Sequence, residues 1–126
     1  MSKVKIKSHL HNKSLNEVYT TDVIGIRNNN KIIYKEDTVN VVISVNKNEL
    51  FIERKCQEYH LTLNLSNKCD TKGNYNINGI GEITLHIETK SLFLEKDEIK
   101  TKYIIDFGGN EMTEFEFLLK MEELKW

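Results

Sequence analysis

The sequence contains no proline, one tryptophan and two cysteines among its 126 residues. The absence of proline excludes collagen-like chains and proline-rich linkers. An excess of one charge sign is also absent, because 18 Lys and Arg residues nearly balance 19 Asp and Glu residues and the net charge is −1. Such a balance gives no electrostatic footprint for nucleic acid or for an anionic membrane. We therefore expect neither nucleic acid nor a membrane as a partner.

Long apolar runs are absent as well. The N-terminal stretch Ser2–His9 alternates lysine and other polar residues with apolar ones, whereas a secretory signal has an uninterrupted apolar core of about 7–15 residues. No apolar run in the chain approaches the roughly 18 residues that a membrane helix needs. These absences favour a cytoplasmic location, in which Cys56 and Cys69 are expected to be free thiols.

The dominant pattern that is present is a two-residue period, in which apolar and polar side chains alternate. This period is typical of antiparallel strands that turn one face to a core and the other to water. Segments rich in Asn and Gly separate the rows, because these residues tolerate the left-handed conformation of tight turns. About eight to ten such strands predict an all-β fold, a single-domain antiparallel barrel over residues 1–126. The clearest rows are Val4–Leu10, Val39–Val45, Tyr59–Leu65, Ile83–Ile87 and Tyr103–Phe107.

Two segments fit this pattern poorly. Ser66–Asn78 is polar and contains Gly73, and it is predicted to be the one long connection of the fold. Near the C-terminus, Met112–Met121 alternates like a strand and also fits a helical period. Its content of Glu, Leu, Lys and Met favours a helix on propensity alone. The residues themselves leave both conformations open for this C-terminal segment.

Several segments, in their order and spacing, resemble the YwiB-like family of uncharacterised bacterial proteins. The family pattern has a Gly followed by alternating apolar residues, a strand that opens with Tyr, and a final alternating strand. Upstream, the family pattern has one strand that ends in Tyr-x-Glu and another strand that carries an Arg. The resemblance implies a calycin-type, lipocalin-like up-and-down barrel, and it implies that the C-terminal segment is a strand. The matching segments are Gly81–Thr89, Tyr103–Ile105, Phe115–Leu118, Ile33–Glu36 and Ile52–Arg54.

The sequence departs from this family pattern at two turns. Asn78-Gly79-Ile80 stands where the family usually has Thr-Pro-aromatic, and Cys56 occupies what is commonly a Gly. The Gly-x-Trp signature of secreted lipocalins is missing, since the only tryptophan is Trp126. The ligands of secreted lipocalins therefore do not carry over to this chain. The family itself has no established activity, so the resemblance implies none for this chain.

One polar set stands out as a candidate ligand-binding site. Tyr34 and Glu36 lie on the same face of one predicted strand, and Arg54 lies on another strand close by in sequence. If Arg54 pairs with Glu36, the phenol of Tyr34 is left to bind a ligand. A few polar groups in an apolar cavity are usual in ligand pockets. The alternative is a structural ion pair, buried or on the surface. We predict these three residues as ligand contacts.

The remaining candidate residues do not form a catalytic or metal-binding constellation. His9 and His11 share one strand face, a spacing that suits metal ligation, but three lysines on the same face would repel a cation. Cys56 lies four residues from His60, about 13 Å along a strand, which is too far for a nucleophile–base pair. We therefore predict no enzyme activity, no metal and no cofactor.

Two functions remain open on the sequence alone. The first is a non-enzymatic binding protein that holds a small, mostly apolar ligand inside the barrel. The second is a structural or protein-interaction module with a filled core, with homo-oligomer formation through an exposed face as part of that alternative. The inward-facing rows would line a cavity in the first case and fill it in the second. They include Val41, Ile43, Leu61, Leu63, Leu85, Ile87, Ile105 and Phe117.

Overall fold

The computed structural model describes residues 1–125, which form ten antiparallel strands closed into one barrel. Each strand pairs with its neighbour in sequence, and the first strand also pairs with the last, so the topology is up-and-down. The predicted all-β antiparallel barrel is confirmed. The strands are β1 (Ser2–Asn12), β2 (Glu17–Asn28), β3 (Lys31–Glu36), β4 (Val39–Asn46), β5 (Glu49–Lys55), β6 (Tyr59–Ser66), β7 (Thr71–Ile77), β8 (Gly81–Leu94), β9 (Glu98–Gly108) and β10 (Glu111–Glu123).

The C-terminal segment is the strand β10, as the resemblance implied. It pairs with β9 on one side and with β1 on the other, so that both edges of its backbone join the sheet. Leu119 and Met121 are buried in the barrel interior. Tertiary pairing and burial therefore override the helical propensity of this sequence. Within residues 1–125, no helix is long and apolar enough to span a membrane.

The expectation of one long connection over Ser66–Asn78 was wrong, because this segment contains the strand β7. β7 pairs with β6 and β8, and its Gly73 is buried opposite Leu63 of β6. A Cβ atom at Gly73 would overlap the carbonyl oxygen of Thr62. The fully buried residue of β7 therefore has no side chain, which weakens the apolar alternation that reveals other strands.

One end of the barrel is filled with aliphatic side chains and is called the filled end below. It lies towards the start of β1 and the turns β2–β3, β4–β5 and β8–β9. Arg27 closes this end, because its guanidinium donates from Nη1 to the Lys96 carbonyl at 2.9 Å and contacts Asp97 Oδ1 at 3.0 Å. The packed residues, each at most 1% exposed, include Val4, Ile6, Ile43, Leu50, Leu65, Ile99 and Leu119.

The barrel wall has its shortest ladder between β2 and β3, where only three residue pairs form, from Ile26–Ile33 to Asn28–Lys31. From Glu17 to Gly25, β2 forms no backbone ladder with β3 in the described part of the chain. Gly25 marks the last close approach, because a Cβ atom there would lie 2.6 Å from the Ile33 carbonyl oxygen and 2.6 Å from Cδ1 of Ile6. The wall is therefore open on this side, next to the β3–β4 turn.

Candidate functional site

The end of the barrel opposite the filled end contains a cavity and is called the hollow end. The cavity has a volume of about 660 Å³, within the range of about 300–1,000 Å³ that small-molecule pockets occupy. The interior of an eight-stranded barrel is just narrow enough for side chains to fill it. A ten-stranded barrel is wider. The lining is mostly apolar and includes Leu10, Val41, Leu61, Leu63, Leu85, Ile105, Phe107, Phe115 and Phe117.

The structure brings the three predicted ligand residues together in this cavity. Tyr34 and Glu36 point inward from β3, and Arg54 points inward from β5. Oε1 of Glu36 lies 2.5 Å from Nη1 of Arg54. Glu36 also accepts a hydrogen bond from the hydroxyl of Thr21 on β2, which bridges the open side of the wall. The predicted Glu36–Arg54 pair therefore forms, and it is anchored to three different strands.

Burial and charge together set the protonation of these groups. Burial opposes the charge on Arg54, but the neighbouring Glu36 and Tyr59 outweigh it, so the pKa of Arg54 is raised. The pKa of Tyr34 is raised mainly because burial disfavours the phenolate, and the charge of Glu36 adds to this effect. At neutral pH the site thus holds the charged guanidinium of Arg54, in contact with Glu36, beside the neutral phenol of Tyr34.

Aromatic rings form two further parts of the cavity wall. Tyr59 and Tyr75 meet edge to face with their centroids 5.8 Å apart, and Tyr103 stacks on Phe115 at 5.4 Å. Burial raises the pKa of Tyr103, so its hydroxyl stays protonated. Tyr103 is not among the site residues that the sequence predicts. A tyrosine between Thr101 and Ile105 in the inward row of β9 was the available signal, since a buried phenol usually has a polar partner.

The other candidate residues lie outside the cavity. His9 is exposed, and Nε2 of His11 lies 3.2 Å from Oδ1 of Asn16. His60 pairs with Glu53 on the outer wall, with 2.6 Å between Nε2 and Oε2. No group of three His, Cys, Asp or Glu side chains in residues 1–125 is arranged to hold a metal ion.

The two cysteines are unpaired, as predicted. Cys56 is partly buried after β5 and Cys69 is exposed in the β6–β7 turn. The backbone N–H of Cys56 donates to the carbonyl of Tyr59 at 3.0 Å, which closes the β5–β6 turn. The turn is thus formed with Cys56 at the position where the family commonly has a Gly.

This architecture is similar to that of a solved structure. The chain shares its fold with YwiB from Bacillus subtilis. The match to that crystal structure covers 95% of this chain and 90% of that chain, with a TM-score of 0.59 and 17% sequence identity. No family model matches the chain, and no curated protein matches it. The similarity to YwiB therefore supports the fold, and it agrees with the resemblance drawn from the sequence.

Proposed function

We propose that this chain is a non-enzymatic protein, a single domain over residues 1–126, that binds a small, mostly apolar ligand in the hollow end of its barrel. The cavity of about 660 Å³ carries this proposal. A filled core would instead support a purely structural role. Tyr34, Glu36 and Arg54 supply the polar contacts, and all three line the cavity.

We also propose that the barrel holds its ligand inside, as lipocalins do. Up-and-down barrels of eight strands hold one small ligand in lipocalins. Here the packed aliphatic residues of the filled end account for stability, while the hollow end leaves space for a ligand. A cytoplasmic location is part of the same proposal and is consistent with the free thiols of Cys56 and Cys69.

Native mass spectrometry of the protein purified from its source tests this proposal. We expect one retained small molecule per chain. The substitution Leu61→Trp places a large ring in the cavity and should remove the retained mass. Glu88→Trp adds the same ring to an exposed position on the outer wall and should leave the mass in place. A protein that carries no ligand, and that also fails to bind the uncharged dye Nile red, would contradict the proposal.

A second candidate function, association with another copy, rests on the exposed side of β2. Its segment before Gly25 has no backbone ladder towards β3 in the described chain, and a free strand edge is a template for pairing with another strand. Val18 is 52% exposed and Ile24 is 65% exposed on this strand. The same spectra report the mass of the assembly. Under this candidate a dimer appears, and Ile24→Lys converts it to a monomer.

A further inference from the structure

The cavity of the hollow end reaches the surface through a gap in the barrel wall. The gap lies between β2 and the turn that joins β3 to β4. Thr20 and Thr21 on β2 line the cavity on one side of the gap, and Glu36, Asp37 and Thr38 line it on the other. Thr20, Asp37 and Thr38 are also exposed to solvent. The cavity is therefore open to solvent at this position.

The gap can widen without the loss of a backbone ladder. β2 and β3 share a ladder of only three residue pairs, which ends at Ile26 and Ile33. The next shortest ladder of the barrel, between β6 and β7, has five pairs. Parting two strands along a ladder breaks backbone hydrogen bonds, whereas the gap has no ladder to break. It is therefore the place where the wall opens at the lowest cost.

The turns around the hollow end differ in how they are held. The β1–β2 turn is bound to β10, because the N–H of Lys13 donates to the carbonyl of Glu114 at 2.9 Å. The β5–β6 and β7–β8 turns are bound to each other, because the N–H of Asn78 donates to the carbonyl of Glu58 at 2.9 Å. In the described chain, no hydrogen bond or ion pair joins residues 37–38 of the β3–β4 turn to another element. This turn can therefore move while its neighbours stay in place.

One side-chain contact crosses the gap. The hydroxyl of Thr21 donates a hydrogen bond to the carboxylate of Glu36. Among the side-chain hydrogen bonds and ion pairs of residues 1–125, it is the one that joins β2 to β3 or to the β3–β4 turn. Arg54 holds Glu36 from the cavity side, with 2.5 Å between Nη1 and Oε1. A single hydrogen bond, whose net contribution is modest in proteins, thus holds the gap closed.

We propose that this gap is the route by which a ligand enters and leaves the hollow end, and that the Thr21–Glu36 hydrogen bond is the latch that closes it. This inference rests on the proposed function, and it adds how access to the cavity is controlled. When the latch opens, the β3–β4 turn moves away from β2 and the gap widens. The contact with Arg54 keeps Glu36 in place for the latch to form again.

Stopped-flow fluorescence of Nile red mixed with the full chain tests the latch. Thr21→Val keeps the shape of the side chain and removes the donor, so the free and the ligand-bound protein should both open more often. The association and dissociation rate constants should then rise by the same factor, about three- to tenfold, and Kd should stay unchanged. Thr20→Val is the matched control, because it makes the same change at a neighbouring hydroxyl that is not bound to Glu36. It should leave both rate constants unchanged.

A bulky side chain in the gap tests the route. Thr38→Trp places a large ring beside the gap and should slow both association and dissociation by at least about tenfold. Ile80→Trp places the same ring on the β7–β8 turn, where Ile80 is 81% exposed on another part of the rim. It should leave both rate constants nearly unchanged. Thermal unfolding confirms that each variant is a folded barrel.

Three results would overturn this inference while leaving ligand binding itself in place. Unchanged rate constants in Thr21→Val would rule out the latch. A change in Kd of that variant without a faster association would show that Thr21 supports the site and does not control access. Unchanged rate constants in Thr38→Trp would rule out the route. Failure of Nile red to bind the unaltered chain would instead count against the proposed function as a whole.

Discussion

Glu36 on β3 and Arg54 on β5 lie two strands apart in the barrel wall, yet their side chains meet at 2.5 Å inside the cavity. The strand between them contributes Val41, which pairs with Tyr34 on one side and with Arg54 on the other. Because Val41 is short, the longer side chains of its neighbours pass over it and meet. The ion pair thus connects β3 with β5 across β4, beside the open part of the wall.

We expect the two members of this pair to depend on each other. Arg54→Met leaves Glu36 partly buried without its cation, and Glu36→Gln leaves Arg54 without its anion. Each single variant should lower the free energy of unfolding by about 2 kcal/mol, because breaking a buried pair leaves a charge uncompensated. The double variant should lose clearly less than the sum. Urea unfolding of all four proteins measures the coupling, and additive losses would show that the contact contributes nothing.

Stability should fall at alkaline pH because of two buried tyrosines. Burial is the main reason that the pKa values of Tyr34 and Tyr103 are raised. Below about pH 10 the folded and the unfolded chain both keep the phenol protons of Tyr34 and Tyr103, so these two groups contribute no pH dependence to stability. Above it, the unfolded chain loses them while the folded chain retains them, which costs roughly 1.4 kcal/mol per pH unit for each tyrosine.

Urea midpoints measured between pH 9 and pH 11 test this alkaline loss. Tyr103→Phe should remove about half of the tyrosine contribution to the slope, and Tyr34→Phe should remove the rest. Tyr19→Phe is the comparison for an exposed phenol, because the pKa of Tyr19 is raised by its hydrogen bond to Glu17 and not mainly by burial, and it should change the slope less than either buried tyrosine. Equal slopes in all four proteins would mean that the two buried phenols ionise as readily in the folded state as in the unfolded one.

The two ends of the barrel should respond differently to the same deletion. Leu119→Ala at the filled end removes a fully buried side chain and should cost about 3 kcal/mol, because it creates a new void among packed neighbours. Leu61→Ala at the hollow end removes a partly buried side chain beside an existing cavity and should cost about 1 kcal/mol. Equal losses in thermal or urea unfolding would indicate that both ends are packed to the same extent.

Gly25 should be intolerant of any side chain. In Gly25→Ala the new Cβ atom meets backbone and core atoms at 2.6 Å, so β2 and β3 must separate where their ladder ends. We expect a loss of about 2–3 kcal/mol. Gly109→Ala is the comparison, because nothing lies within 4 Å of its Cβ position and only its φ of +62° opposes the change. That variant should lose about 1 kcal/mol, and a similar loss at both sites would argue against a tight contact at Gly25.

The sequence was sufficient for the parts of the barrel in which side chains alternate. It placed Tyr34 and Glu36 on one face, because a period of two fixes which side chains point inward. The pairing of Arg54 with Glu36 was a hypothesis that the ion pair in the structure confirms. It missed β7, where Gly73 removes the apolar signal. It also missed Arg27, because a single charge at the end of a strand looks the same whether it faces water or closes a barrel.

The division into a filled end and a hollow end could not be predicted in the same way. Leu63 and Leu65 belong to one inward row of β6, yet Leu63 lines the cavity while Leu65 packs in the filled end. Their residue types are identical, and only the arrangement of the opposite wall separates them. The number of strands and the volume between them therefore carry information that the alternation lacks.

The pairing of β1 with β10 has a consequence for how the chain folds. Val4 pairs opposite Glu123 and Ile6 opposite Met121, so the contact that closes the barrel joins the two ends of the sequence. Hairpins between neighbouring strands form early because their loops are short, whereas this pairing carries the largest loop-closure entropy. Val4, Ile6 and Leu119 all belong to the packed core. We therefore expect the core to be completed late, after β10 has been synthesised.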